Sequence, residues 1–144
     1  MAEKFGADHV INVKDDLLQQ LNELTDGKGV NKVIVCTGAE NAALTALDCV
    51  DRGGTILFFA VPDPTIKIMI PITQFWRNET TIRTSYGAAP RDLEEALNVL
   101  AQKRINVSDM ITHRLDIREA AEGFRLVTEA GKSLKVILEP NRNG

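Results

Sequence analysis

Histidine, cysteine and aromatic residues are scarce in this 144-residue chain: two His, two Cys, one Trp, one Tyr and five Phe. Each scarcity closes off a class of chemistry. A structural zinc site takes four ligands, so here it would have to collect His9, Cys36, Cys49 and His113 from four separate places. Neither cysteine has a second cysteine or a histidine at ligand spacing, so no metal site is expected within the chain, and Cys36 and Cys49 read as small buried hydrophobes. There is no surplus of positive charge either. With 17 basic and 20 acidic residues, net −3, no basic stripe interleaved with aromatics forms, and nucleic acid is excluded as a partner. Long apolar runs are also missing. The run Thr55 to Val61 falls far short of the roughly 20 residues that cross a bilayer, and Met1 to Gly6 hold no apolar signal core. A cytoplasmic setting without membrane contact is the expectation. The sequons Asn78-Glu79-Thr80 and Asn106-Val107-Ser108 then carry no weight.

What is present is a strand–helix–strand pattern. At 44% hydrophobic and 26% charged residues, the chain can bury the core of one modest domain, or of part of a larger one. Val33 to Cys36 form an unbroken apolar run closed by Thr37-Gly38. Asn41 to Val50 carry helical apolar spacing, and Gly53-Gly54 precede a second apolar run, Thr55 to Val61. A strand apolar at every position is buried on both faces, which points to a parallel sheet covered by helices. Ligands of such sheets bind beyond the carboxyl ends of the strands, here Thr37-Gly38 and Phe59-Ala60-Val61. The phosphate-binding turn that usually accompanies such a unit is missing.

The alternation continues along the chain. Met1 to Phe5 reads as a helix end stopped by Gly6, and His9 to Val13 as a short strand. Asp15 or Asp16 caps a helix that places Leu17, Leu18, Leu21 and Leu24 on one face and ends at Gly27 and Gly29. Prolines 62, 64 and 71 make the stretch from Pro62 through Ile72–Asn78, with Trp76, a surface excursion and not a core helix. Thr80 to Tyr86 is a third strand. Pro90 opens a helix with Leu93, Ala96, Leu97 and Leu100 on one face. Met110 to Leu115 is a strand leading into Asp116-Ile117-Arg118-Glu119, a capping-box pattern, and Ala120, Phe124 and Val127 continue the helix to Gly131. Leu134 to Leu138 is a last strand, and Asn141 to Gly144 a loose tail.

The ordered series Phe5 to Asn12, Gly29 to Gly38, Gly53-Gly54-Thr55-Ile56, Ile111 to Leu115, Ala120 to Phe124 and Gly131 to Lys135 resembles the medium-chain dehydrogenase/reductase superfamily. Within it the series is most similar to the zinc-dependent alcohol and polyol dehydrogenases of the sorbitol and threonine dehydrogenase group, and Ile111-Thr112-His113-Arg114-Leu115 favours that zinc branch over the zinc-free quinone reductases. The resemblance covers essentially the whole chain. It implies an α/β fold, a partial Rossmann-like parallel sheet with flanking helices that lacks the first two strands and the G-x-G-x-x-G turn. Residues 1–89 are then the remaining part of the dinucleotide-binding domain, and residues 90–144 the helices and strands that return toward the catalytic lobe. Gly27-Lys28-Gly29 follows a helix, lacks a third glycine, and reads as a helix stop.

The same resemblance implies NAD or NADP in the complete enzyme, zinc in the absent catalytic lobe, and no hydride transfer by this chain alone. Carried over residue by residue, Cys36-Thr37-Gly38 resembles the segment along the ribose and adenine, where close backbone approach favours glycine. Phe59-Ala60-Val61 resembles the strand end whose backbone faces the nicotinamide. Thr84-Ser85-Tyr86 resembles the strand end that meets the carboxamide through main-chain groups, although Tyr86 departs from the smaller residues common in some branches. Lys135 stands where the family often has a basic residue near the ribose and phosphates. Plain core packing is the alternative for the apolar members, a solvated amine for Lys135, and a structural role for His113. In the doubly wound order 3-2-1-4-5-6, loss of strands one and two leaves Val33 to Cys36 with a free edge. Either His9 to Val13 moves in beside it or two chains exchange elements. Self-association as a dimer or tetramer is also expected at the edge Thr80 to Tyr86. A non-catalytic self-associating module competes with the dehydrogenase-fragment reading.

Overall fold

Three parallel strands organise the first of two units in the computed structural model, which describes residues 1–129 and 131–140; the units are Met1–Gly87 and Ala88–Gly144. The strands are β1 (Val30–Val35), β2 (Val50–Phe58) and β3 (Thr81–Thr84), in the order β1-β2-β3. Helix α1 (Leu17–Thr25) precedes β1, helix α2 (Glu40–Cys49) crosses from β1 to β2, and helix α3 (Ile72–Arg77) comes before β3. Val35, Phe58 and Thr84 lie side by side in register, so all three strands finish at one level.

The core follows from the apolar runs. Val35, Ala46, Leu47, Ile56 and Phe75 are buried together, and Val33, Val50, Phe58, Ile68 and Ile82 pack against them. Ile56, on the central strand, is fully enclosed. Burial of each large side chain contributes about 1.5–3 kcal/mol. Small residues Ala43 and Ala46 on α2 are buried as well. Asp16 caps α1 by accepting a hydrogen bond from Gln19 N at 3.0 Å, an arrangement that stabilises a helix by about 1 kcal/mol.

Several expectations are corrected. His9 to Val13 form no strand and join no ladder, so the insertion of this segment beside Val33 to Cys36 does not occur within the chain. β1 is not buried on both faces: Ile34 is 60% exposed, and Cys36, just past the end of the strand, is exposed where burial was expected, because burial of a second face needs a layer packed on it and not only apolar side chains. Cys49 is buried as expected. β2 begins at Val50 and ends at Phe58, leaving Phe59 to Val61 beyond the ladder; its pairing with β1 skips from Val50 to Thr55, and Gly53 N is tied to Asn78 O at 2.7 Å. The proline-rich excursion is not purely superficial, since α3 delivers Phe75 into the core. The helix end at Met1 to Phe5 is a single 3-10 turn, Glu3–Phe5, closed by left-handed Gly6.

In the second unit, α4 (Pro90–Ala101) starts with proline in its first turn, and the Asp92 carboxylate accepts from Ala89 N. Its Leu93, Leu97 and Leu100 are all exposed. Strands β4 (Ile111–Asp116) and β5 (Lys135–Glu139) pair in parallel, joined by helix α5 (Ala120–Glu129). The capping box is present: Asp116 accepts from Arg118 N, and Glu119 accepts from Asp116 N. Gly123 is the contact between α5 and the strands, because a Cβ there would meet Leu138 at 3.2 Å and Leu115 and Val136 at 3.5 Å. The tail Asn141 to Gly144 lies outside the described residues.

Candidate functional site

The common level of the three strand ends is the result of backbone hydrogen bonding that continues just past the ladders. Phe59 N and Ala60 N both donate to Val35 O at 3.1 Å, and Ser85 N donates to Phe58 O at 3.1 Å. The segments Cys36-Thr37-Gly38, Phe59-Ala60-Val61 and Thr84-Ser85-Tyr86 are thereby brought to one edge of one sheet. Thr37 Oγ1 accepts from Ala39 N at 3.3 Å and shapes the turn into α2. Gly38 lies against the backbone of the second segment, where a Cβ would stand 2.8 Å from Val61 O and 3.2 Å from Pro62 Cα.

Most of the side chains here are presented to solvent rather than packed. Phe59 is 59% exposed, Val61 66% and Tyr86 91%. None of the nine residues is charged. Asp63, two positions past Val61, is fixed by Thr65, whose hydroxyl and backbone N–H both donate to its carboxylate and hold it below the usual carboxylate range. An uncharged edge of exposed apolar side chains and main-chain groups suits a planar ring carrying an amide.

Lys135 is not in this unit. It begins β5 in the second one, is exposed, and its carbonyl accepts from Thr112 Oγ1 at 3.2 Å. His113 lies next to this bond, with Nδ1 3.0 Å from Thr112 Oγ1. The His113 ring thus lies beside the hydroxyl that ties β4 to β5. Among the described residues no group of three His, Cys, Asp or Glu side chains could hold a metal ion.

Sequence patterns did not reveal the approach of Gly38 to Val61 and Pro62, which joins residues more than twenty positions apart and leaves no local signature. They also missed the groove beside β1 lined by Val13, Leu17, Val33 and Ala42. The only sequence signal for it was the expectation that β1 lacks a neighbour.

Residues 1–102 match the family model described as zinc-binding dehydrogenase. The chain belongs to the zinc-binding dehydrogenase family. Among curated members of that family, it is 29% identical to a sorbitol dehydrogenase of Halalkalibacterium halodurans over 96% of its own length, and 32% identical to a D-arabitol-phosphate dehydrogenase of Enterococcus avium over 98%. It spans only 40% of each of these relatives. The fold agrees with an alcohol dehydrogenase of Thermotoga maritima, with a TM-score of 0.85 at 24% identity, covering 97% of this chain and 40% of that one. A Sinorhizobium meliloti zinc-binding dehydrogenase bound to NADP gives the same score at 22% identity, covering 96% and 41%. The partial Rossmann-like α/β fold is therefore that of the carboxyl-terminal part of zinc-binding dehydrogenases. No helix among the described residues is long and apolar enough to cross a membrane.

Proposed function

We propose that this chain forms the nicotinamide side of the cofactor site in an NAD(P)-dependent zinc alcohol or polyol dehydrogenase, and that by itself it does not transfer hydride. The observation that carries this reading is the alignment of Val35, Phe58 and Thr84, which brings three strand ends to the edge where parallel sheets take their ligands. Bound there, a nicotinamide supplies the acceptor for a hydride leaving a CH–OH carbon. The chain's own part is to seat the ring: Gly38 keeps the first two segments in contact, Phe59 and Val61 offer apolar surface, and the backbone from Thr84 to Tyr86 faces the carboxamide. Among the described residues no set of side chains fits zinc. The proposed setting is cytoplasmic.

Self-association belongs to the same reading. At the outer side of β3, Ile70, Ile72, Trp76 and Ile82 line an open groove, and Ile72 and Trp76 are 71% and 79% exposed. Such a patch at a sheet edge is suited to a second copy. That surface also favours the second reading, a non-catalytic association module.

Calorimetric titration of the 144-residue chain with NAD⁺ and NADP⁺ tests the cofactor reading. Saturable binding tighter than about 100 μM, roughly −5.5 kcal/mol, is the expected result, and absence of heat with both overturns it for this chain. Intact mass of the native product separates the two readings. A value near ~37 kDa, one catalytic lobe plus one dinucleotide domain at typical lengths, selects the dehydrogenase, and the mass of the 144 residues alone selects the module.

A further inference from the structure

β2 does not run straight beside β1. Val30 pairs with Val50 and Lys32 with Thr55, so two steps along β1 face five along β2, and residues 51–54 bulge out between the two pairs. Glycines make the bulge possible. A Cβ on Gly54 would meet Val50 Cγ2 at 2.6 Å, Asp51 O at 2.7 Å and Asn31 O at 3.1 Å, so the chain folds back on itself there. A Cβ on Gly29 would meet Cys49 O at 2.7 Å and Asp51 N at 3.2 Å, which seats the start of the bulge against the start of β1. Gly53 has open space around it but a φ of +67°, a left-handed value that β-branched residues adopt only under strain. Its N–H donates to the carbonyl of Asn78, the C-cap of α3, at 2.7 Å. The bulge is thereby fastened on one side to β1 and on the other to the turn that opens β3.

The register of β2 needs such a fastening. A slip of one residue turns Ile56 outward, and its complete burial excludes that. A slip of two keeps every side chain on its own face. It puts Phe58 in the place of Ile56, between Val33 and Ile82, and Phe58 is apolar as well. The apolar pattern therefore does not choose between the two registers. At ~3.3 Å per residue, the slip would draw Phe59, Ala60 and Val61 about 6.6 Å out of level with Cys36 and Ser85. We propose that residues 51–54 are a register lock for the candidate cofactor site, with Gly53 as the positioning residue that acts from the opposite end of the sheet through its bond to Asn78. That the levelled edge takes a cofactor rests on the reading above, whereas the lock itself does not.

The test reads register and binding separately on the 144-residue chain. Cross-strand NOEs in its NMR spectrum join Leu57 to Arg83 in the native register and Phe59 to Arg83 after the slip. Gly53→Val, and deletion of Arg52 together with Gly53, should each add NOEs of the slipped kind and weaken NAD⁺ binding by calorimetry at least fivefold. The deletion pulls β2 in the direction of the slip and adds no left-handed side chain, so it decides the matter if Gly53→Val fails to fold. Leu47→Val loosens the buried core away from the bulge, and it should show the native NOEs alone and bind as wild type does. Native NOEs alone in both bulge variants overturn the proposal. So does a slip that leaves NAD⁺ affinity unchanged, or an equal loss of affinity in Leu47→Val. If wild type binds neither NAD⁺ nor NADP⁺, the cofactor reading falls and the NOEs alone decide the lock.

Discussion

Gly38 and Val61 meet through their backbones, at a separation that would leave 2.8 Å between a Cβ on Gly38 and Val61 O. This contact joins the turn after β1 to the segment after β2, and the second partner is backbone that cannot swing aside. Gly38→Ala should therefore destabilise the chain by about 1–3 kcal/mol, the usual cost of forced overpacking. Chemical denaturation measures that loss. If the contact also shapes the cofactor site, calorimetry will show weaker NAD⁺ binding in the folded variant, whereas unchanged affinity would detach Gly38 from the site.

The two thiols should behave as different species. Cys36 is exposed and Cys49 buried, and burial first, with Asp48 adding to it, pushes the Cys49 thiol up from its ordinary value. Its neutral form is favoured in the native state, and only the thiolate attacks. A thiol reagent at mildly alkaline pH should find one fast cysteine, which Cys36→Ser removes, and a second that reacts only on unfolding. Two equally fast thiols would contradict the packing of α2.

Thr112 holds β4 to β5 where the ladder shifts register between Ile111 and His113. Its hydroxyl donates to Lys135 O and accepts from Leu134 N at 3.1 Å. Thr112→Val removes both bonds at an exposed position and should cost about 1 kcal/mol, with Thr112→Ser close to wild type. Denaturation midpoints of the three proteins are the measurement.

Acid should weaken α5 through Glu122. The Arg125 guanidinium hydrogen-bonds this carboxylate, which holds it below its ordinary value of 4.5, with smaller attraction from His113. A carboxylate lowered in the folded state contributes stability above the unfolded value, and the contribution is lost as pH falls through the folded one. Stability should therefore decline from about pH 4.5 downward, and Glu122→Gln should flatten that decline. An identical acid profile in the variant would show that the ion pair is indifferent to folding.

The crossover from β1 through α2 to β2 was legible because Val33 to Cys36 and Thr55 to Phe58 are apolar runs and the helix between them has a clear period. The Asp116 to Glu119 capping box was legible for a similar reason, since its hydrogen bonds span only three residues. Features that depend on distant neighbours were not. Cys36 sits in an apolar run yet is exposed, because burial of a strand's second face needs elements that the run itself cannot reveal. Phe75 is core although prolines precede its segment, since a short helix can deliver one ring inward from a surface path. His9 to Val13 has strand composition without a strand beside it, and composition alone cannot supply a ladder. For the candidate site, the strand ends were visible as Gly and turn signals, while the registration that levels them came from pairing across the sheet.

Among the described residues β2 is the one strand of its sheet with a neighbour on each side, and its Ile56 has no solvent exposure. Its amide protons from Thr55 to Phe58 can exchange with deuterium only when β1 or β3 lets go, whereas the outer edges can fray on their own. The sheet thus unzips from both flanks inward, and the last protection to disappear lies along the strand that leads directly to Phe59, Ala60 and Val61.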